Sequence, residues 1–209
     1  YTIILYIYMS LKEYILNREN RVHIDRKEKF IYFPVNKAMQ TSMGNGELKD
    51  RLVKYKYEPE LWTKLFNKID IDTIYKFGIT RNPILKFESA YNYLKKCNVE
   101  CVKNTNINDF VKNILINYDN PYLLNPHFER QYEGFFFTSG DKKLIVNDLY
   151  KMESIDDINN MCKKLDLNKD KIIHINRTKH KERLTKESIE IIAKIYCNDF
   201  KYLNYSIIQ

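Results

Sequence analysis

The segment that offers the most chemistry runs from residue 81 to residue 91. An apolar run at residues 75–80 precedes it and predicts a buried strand. Pro83 stands where a helix can begin, because proline costs nothing in a first turn. Arg81 therefore ends a strand, and Ser89 follows on the helix. A guanidinium, a hydroxyl and a helix N-terminus can bind one phosphate together, so the segment predicts an anion site.

A second segment repeats this order of strand, basic residue and hydroxyl. Residues 30–34 are apolar and predict a strand, Lys37 follows it, and Thr41 and Ser42 come next. A lysine in a turn before a helix start that bears hydroxyls resembles the phosphate cradle of P-loops. The glycines that flank such a loop in nucleotide triphosphatases are missing here. We therefore expect an anion to be bound by other means.

Together the two segments resemble those of the membrane-associated carbohydrate sulfotransferases, which include the chondroitin and uronosyl sulfotransferases. In that family the first loop embraces the 5′-phosphosulfate of the donor PAPS (3′-phosphoadenylyl sulfate), and the second segment holds its 3′-phosphate. The resemblance implies these donor-binding residues: Lys37, Ala38, Thr41, Ser42, Arg81 and Ser89.

Three later stretches extend the resemblance to about residue 205. Residues 125–131 are similar to a family stretch H-W/F-x-x-Q, and residues 144–153 to a strand before an E-x-L/I turn. Residues 184–205 are similar to the closing helix and its D-F-x-x-x-x-Y tail. The resemblance also implies that a loop with Arg177 and Lys179 closes over the nucleotide.

The resemblance implies a catalytic lysine and leaves the choice of base open. Lys37 would contact the bridging oxygen and stabilise charge on the leaving phosphate. Our candidate for the base is His127, because histidine has a suitable pKa and this is the one histidine in a family-like stretch. Ordering of the acceptor loop is the alternative role for His127. Glu129 and Glu58 are the fallback candidates for the base.

The sequence departs from the family at three points. Asn36 precedes Lys37 where the family has proline, and Lys86 replaces a second arginine, which removes a bidentate fork. No histidine lies between the two nucleotide loops, where one branch of the family has its base. Two alternatives stay open: a catalytically weakened basic module that binds glycans or nucleic acid on the same fold, and a P-loop kinase-like phosphotransferase.

Composition predicts one domain with anionic partners. The 209 residues are 44% hydrophobic, which is enough apolar material for a core. The formal net charge of +8 favours anionic partners. The four cysteines have no metal-ligand spacing, so we expect reduced thiols and no metal. We expect an N-terminal extension at residues 1–25, as the remnant of an anchor or a miscalled start. Residues 26–209 are then the donor-binding domain.

Alternating strands and helices predict an α/β fold with a mostly parallel central sheet flanked by helices. The resemblance implies that this is a P-loop-like sulfotransferase fold. The remaining predicted elements are helices at residues 47–67 (broken near Pro59), at 104–120, after Ser154 and after Thr185, and strands at 135–137, 144–146 and 172–175.

The expected partners are a nucleotide donor and an anionic or neutral glycan acceptor, and nucleic acid is not expected. Membrane association is allowed through a segment missing from the N-terminus. We expect the chain as it stands in the cytoplasm, with the lumenal side of the Golgi membrane, as a type II protein, as the alternative.

Overall fold

The computed structural model describes residues 10–17, 21–39, 48–135, 144–168 and 182–207. The chain divides into two compact units, and each unit is built from several separate segments. The first unit consists of Tyr1–Val35, Met39–Ile79 and Glu133–Ile173. The second consists of Asn36–Ala38, Thr80–Tyr132 and His174–Gln209.

The first unit contains a mixed, open five-stranded sheet with strand order β3-β1-β2-β4-β5. The strands are β1 (His23–Asp25), β2 (Phe30–Phe33), β3 (Leu52–Lys54), β4 (Tyr75–Thr80) and β5 (Asp148–Lys151). Strand β1 is antiparallel to both β2 and β3, whereas β2 is parallel to β4. Both β2 and β4 lead the chain directly into the second unit.

The α/β class is confirmed, but the prediction of a mostly parallel sheet is wrong. Strands β1 and β2 are joined by a turn of four residues, 26–29, which is too short for a crossover and forces an antiparallel hairpin. Glu28 in this turn has a φ of 59°, in the left-handed region. Strand β3 then adds to the other side of β1 in the antiparallel sense.

Helices flank the sheet in the first unit and form most of the second. The first unit contains α1 (Leu11–Leu16), α2 (Pro59–Lys68) and α7 (Ile155–Leu165). The second contains α3 (Pro83–Lys96), α4 (Glu100–Lys103), α5 (Ile107–Asn113), α8 (Lys186–Ile195), α9 (Cys197–Tyr202) and short 3-10 helices at Leu115–Asn117, Pro121–Leu123 and Pro126–Phe128. Helix α6 (Tyr132–Phe135) lies where the chain returns to the first unit.

Most of the predicted elements are present, although two of them differ in type. The strands at 30–34 and 75–80 and the helices that begin at Pro83, after Ser154 and after Thr185 are confirmed. Residues 52–54 were expected to be helical, yet they form β3, because pairing with β1 outweighs their helical periodicity. Phe135 was predicted to begin a strand, but it ends helix α6. The strand predicted at 144–146 lies further along the chain, as β5, which begins at Asp148. Residues 136–137 and 172–175 lie outside the described residues.

Each unit has its own apolar core. In the first unit the ring of Phe77 on β4 stacks on Tyr32 at 5.0 Å between centroids and meets Phe30 edge-on at 5.5 Å. In the second unit Phe87 on α3 packs against Phe110 on α5 and against Phe128. The core of the second unit thus holds helix α3 in place, and α3 carries much of the candidate site.

Gly78 is required by the close approach of Phe135 to strand β4. A Cβ atom at position 78 would lie 2.1 Å from the Phe135 ring, which is fully buried. We expect Gly78→Ala to lower the free energy of unfolding by about 2 kcal/mol, because overpacked cores typically lose that much. The measurement is urea unfolding followed by circular dichroism.

The Gly78→Ala/Phe135→Leu double variant is the control for this prediction. It removes the clash, so its loss should be smaller than the sum of the two single losses. Additive losses would show that the ring does not constrain position 78.

Candidate anion-binding site

The second unit brings three of the predicted site residues together around one tyrosine. Arg81 Nη1 donates a hydrogen bond of 3.1 Å to the backbone oxygen of Lys37. The Lys37 ammonium lies 4.2 Å from the centroid of the Tyr93 ring. The His127 ring lies 5.0 Å from the same ring, centroid to centroid. Tyr93 therefore places the predicted catalytic lysine next to the predicted base, and the sequence reasoning did not identify it.

One face of helix α3 supports this cluster. Lys86, Ser89, Tyr93 and Cys97 are spaced by three or four residues, so their side chains share a face of the helix and its end. Ser89 is half-buried on this face. A hydrogen bond with the Cys97 thiol raises the pKa of Tyr93, so the tyrosine stays protonated at neutral pH. The repeat from Lys86 to Tyr93 is the sequence signal that could have found Tyr93.

The N-terminus of α3 is capped by its own side chain. Asn82 Oδ1 accepts hydrogen bonds from the backbone N–H groups of Ile84, at 3.0 Å, and Leu85, at 3.4 Å. The sequence had suggested that this helix terminus helps to bind a phosphate. Its first N–H groups are already bonded to the cap, so the basic side chains are left as the groups that attract an anion.

Lys86 anchors a neighbouring segment to the helix and does not extend into solvent. Its side chain is buried, and the ammonium donates to the backbone oxygens of Glu129, at 2.6 Å, and His127, at 3.2 Å. Carbonyl partners offset the cost of burying this charge. Lys86 therefore holds the backbone that carries the candidate base.

Asn36 connects the lysine loop, residues 36–38, to the same segment through hydrogen bonds. Its side-chain amide donates to the backbone oxygen of Pro126 at 3.2 Å. Its backbone N–H donates to Glu129 Oε1 at 3.4 Å, and the Glu129 carboxylate is buried. Lys37 follows with a φ of 66°, a left-handed conformation that costs a non-glycine residue roughly 1 kcal/mol. Glu129, a fallback candidate for the base, thus accepts a hydrogen bond from the backbone of the lysine loop.

Gln131 fixes the backbone of Arg81 with two hydrogen bonds. Gln131 Oε1 accepts from the Arg81 N–H at 2.8 Å, and Gln131 Nε2 donates to the Arg81 carbonyl at 2.6 Å. The Asp199 carboxylate accepts from the backbone N–H groups of Gln131, at 3.0 Å, and Tyr132, at 2.9 Å. Gln131 and Asp199 are both fully buried. Hydrogen bonds thus connect three of the stretches singled out in the sequence, those that contain Arg81, Gln131 and Asp199.

The C-terminal tail braces the residues on either side of Arg81. The Tyr205 hydroxyl lies 2.9 Å from the Thr80 hydroxyl, and the Asn82 side-chain amide donates to the backbone oxygen of Ser206 at 3.1 Å. The spacing between Asp199 and Tyr205 lets one tail hold both the Gln131 segment and the segment around Arg81.

The electrostatics of the cluster favour an anion. Burial lowers the pKa of Lys37, and the positive charges of Arg81 and Lys86 lower it further. Burial also lowers the pKa of His127, as do Lys37 and Lys86, while Glu129 acts in the opposite direction. The positive charges of Lys37, Arg81 and Lys86 repel one another, so a bound anion would relieve the repulsion. The lowered pKa of His127 means that its imidazole is neutral at physiological pH.

Other predicted site residues add less to the cluster. Ala38 is fully buried beside Lys37 in the lysine loop. Thr41, Ser42, Arg177 and Lys179 lie outside the described residues. Glu58, the other fallback base, forms a salt bridge with Arg26 in the first unit.

Neither a metal site nor a membrane span is found in the part of the chain that the structure describes. Within those residues no group of three or more histidine, cysteine or acidic side chains could hold a metal ion. None of the described helices is long and apolar enough to cross a membrane. All four cysteines are free thiols.

Comparisons with models of protein families, with curated proteins and with solved structures find no match for this chain.

We expect Gln131→Leu to lower the free energy of unfolding by about 2–4 kcal/mol. Leucine is similar in volume, but it leaves the N–H and C=O of Arg81 without their Gln131 partners, and each such loss costs about 1–3 kcal/mol. Denaturant unfolding measures the effect. Lys103→Ala, which removes an exposed charge on α4 of the same unit, is the control and should change stability little. A Gln131→Leu variant as stable as the wild type would contradict the network's role.

Proposed function

We propose that this chain transfers the sulfonate of PAPS to a carbohydrate hydroxyl, on a P-loop-like sulfotransferase fold. The observation that carries the proposal is the placement of the Lys37 ammonium and the His127 imidazole against the same Tyr93 ring, with Arg81 bonded to Lys37. A cation and a neutral base side by side are what the transfer of an anionic group to a hydroxyl requires.

Arg81 supports the proposal as the residue that would hold a phosphate of the donor. A guanidinium binds phosphate through two parallel hydrogen bonds, which a lysine cannot do. Gln131 fixes the Arg81 backbone and the Lys37 carbonyl accepts from the guanidinium, so less conformational freedom would be lost when the anion binds. Ser89 shares the α3 face with Tyr93 and is the residue of the described part of the second unit that was predicted to bind through a hydroxyl.

Lys37 would stabilise the negative charge that develops on the leaving phosphate. The side chain is half-buried, so its electrostatic interactions are stronger than they would be in water. PAPS, when bound, would supply an activated sulfonate whose bond to phosphate is broken as the acceptor oxygen attacks. Lys37 would stay protonated throughout this step.

His127 would take the proton of the acceptor hydroxyl. Its lowered pKa keeps the ring neutral at physiological pH, which a general base requires.

The resemblance of the motifs to those of carbohydrate sulfotransferases favours a carbohydrate as the acceptor. The half-exposed Tyr93 ring leaves the cluster open to solvent, from which an acceptor can approach.

The binding of adenosine 3′,5′-bisphosphate, the product derived from PAPS, tests the donor site. We expect calorimetry to give a micromolar dissociation constant for the wild type. Arg81→Ala and Lys37→Ala should each weaken binding about 10- to 100-fold, because a hydrogen bond to a charged group contributes about 1.5–3 kcal/mol. Lys103→Ala removes the same charge from an exposed position in the same unit and should leave binding unchanged.

Other results would favour the alternative functions. No binding of the bisphosphate by a folded sample at moderate salt would contradict the donor site. Binding of acidic glycans or nucleic acid that is steeply salt-dependent and insensitive to nucleotide would favour the basic binding module. Preferential binding of a nucleoside triphosphate with magnesium would favour the phosphotransferase.

The rate of transfer should fall at low pH as His127 becomes protonated. Its pKa is lowered in the folded protein, so activity should persist below the ordinary histidine value of about 6.5 and be lost only as the pH falls through the lowered pKa. The pH profile of kcat/KM for PAPS, which reports the groups of the free enzyme, measures this limb, and His127→Gln should abolish it together with most of the rate. An acid limb at or above the ordinary value would exclude His127 as the base.

A further inference from the structure

We propose that Asn125 is a positioning residue that fixes His127 in the tautomer with hydrogen on Nδ1 and a lone pair on Nε2. The inference that this tautomer serves catalysis rests on the proposed function. The tautomer itself follows from the hydrogen bonds around Asn125 alone.

Asn125 stands immediately before the short 3-10 helix Pro126–Phe128 and caps it. The backbone of Asn125 is extended, with φ at −165° and ψ at 139°. Its Oδ1 accepts a hydrogen bond of 2.9 Å from the backbone N–H of His127. This is the geometry of an Asx turn, in which an asparagine side chain bonds to the backbone two residues later.

This backbone contact determines which end of the amide faces the histidine. A backbone N–H can only donate, so the Asn125 atom that it meets must be the carbonyl oxygen and not the amide nitrogen. The same oxygen lies 3.0 Å from His127 Nδ1. An oxygen of this kind can only accept, and therefore Nδ1 must carry the hydrogen.

The other ring nitrogen is then left with its lone pair. A neutral imidazole carries one hydrogen, so a protonated Nδ1 makes Nε2 the basic atom. Among the residues that the structure describes, no hydrogen bond is made to Nε2. Free histidine in water prefers the opposite tautomer, so the Asn125 contact reverses an intrinsic preference.

The charged groups around His127 keep the ring neutral, which the tautomer requires. The Lys37 ammonium contacts the same Tyr93 ring as His127, and Lys86 donates to the His127 carbonyl from helix α3. Both lysines lower the pKa of the imidazole, and Glu129, two residues further along the chain, opposes them. The Tyr93 ring, which packs against His127, carries no charge.

In the transfer step this tautomer gives the proton a defined destination. The hydroxyl proton would move to Nε2 as the hydroxyl oxygen bonds to sulfur, and the bond from sulfur to the bridging oxygen would break with its electron pair going to the phosphate. The imidazolium formed would be stabilised because the Nδ1–H···Oδ1 bond strengthens when its donor becomes charged. In the opposite tautomer Nε2 would carry a hydrogen and could not accept the proton.

The first test is nitrogen NMR of the His127 side chain in the free protein, at a pH about two units above the ordinary pKa of histidine. We expect the Nδ1–H form in the wild type and in Asn125→Asp, which keeps both acceptor contacts. Asn125→Ser keeps a strong cap for the backbone but has a shorter side chain, so the tautomer should shift toward Nε2–H. An Nε2–H wild type, or a serine variant with an unchanged tautomer, would overturn the proposal.

The second test separates this proposal from the proposed function. If the wild type transfers sulfonate, Asn125→Ser should lower kcat and leave the dissociation constant of adenosine 3′,5′-bisphosphate unchanged. An unchanged kcat together with a shifted tautomer would overturn the positioning role. If the wild type transfers no sulfonate to any acceptor, the proposed function fails, and the NMR result still decides the tautomer. Unchanged backbone amide spectra confirm that the variants are folded.

Discussion

The candidate site depends on one buried pairing, in which the side-chain amide of Gln131 bonds both the N–H and the C=O of Arg81. Asp199 holds the Gln131 backbone in turn, and the C-terminal tail holds Thr80 and Asn82 on either side of Arg81. Because buried polar groups are costly to leave unpaired, this network fixes the backbone of Arg81, and the guanidinium is held by its hydrogen bond to the Lys37 carbonyl. A guanidinium that is placed before the ligand arrives loses less entropy on binding.

The same segment that contains Gln131 also presents the candidate base. Lys86 and Asn36 hold its backbone from two directions, and each does so through backbone oxygens. Lys86 and Asn36 are therefore structural supports of the cluster. The charge of Lys86 also matters, since Lys86 and Lys37 both lower the pKa of His127. One set of contacts thus fixes the position of the base and keeps it neutral.

The sequence predicted local elements well and long-range geometry poorly. The strand 75–80 and the helix from Pro83 follow from an apolar run and a proline, which are local signals. The antiparallel addition of β3 depends on pairing with β1, which no local pattern reveals. Arg81, Lys37 and His127 were identified from motifs, whereas Tyr93 was missed because its role arises only when the lysine loop and the 125–131 segment meet α3. Gln131 was predicted to contact the acceptor or to fix the loop, but its pairing with Arg81 could not be predicted, because the two residues lie fifty positions apart in the chain.

The most direct test of the account is a crystal structure with adenosine 3′,5′-bisphosphate bound. We expect one phosphate within hydrogen-bonding distance of the Arg81 guanidinium, and the 5′-phosphate beside the Lys37 ammonium. A nucleotide bound away from these side chains would contradict the account, as would an empty cluster in crystals soaked at a saturating concentration.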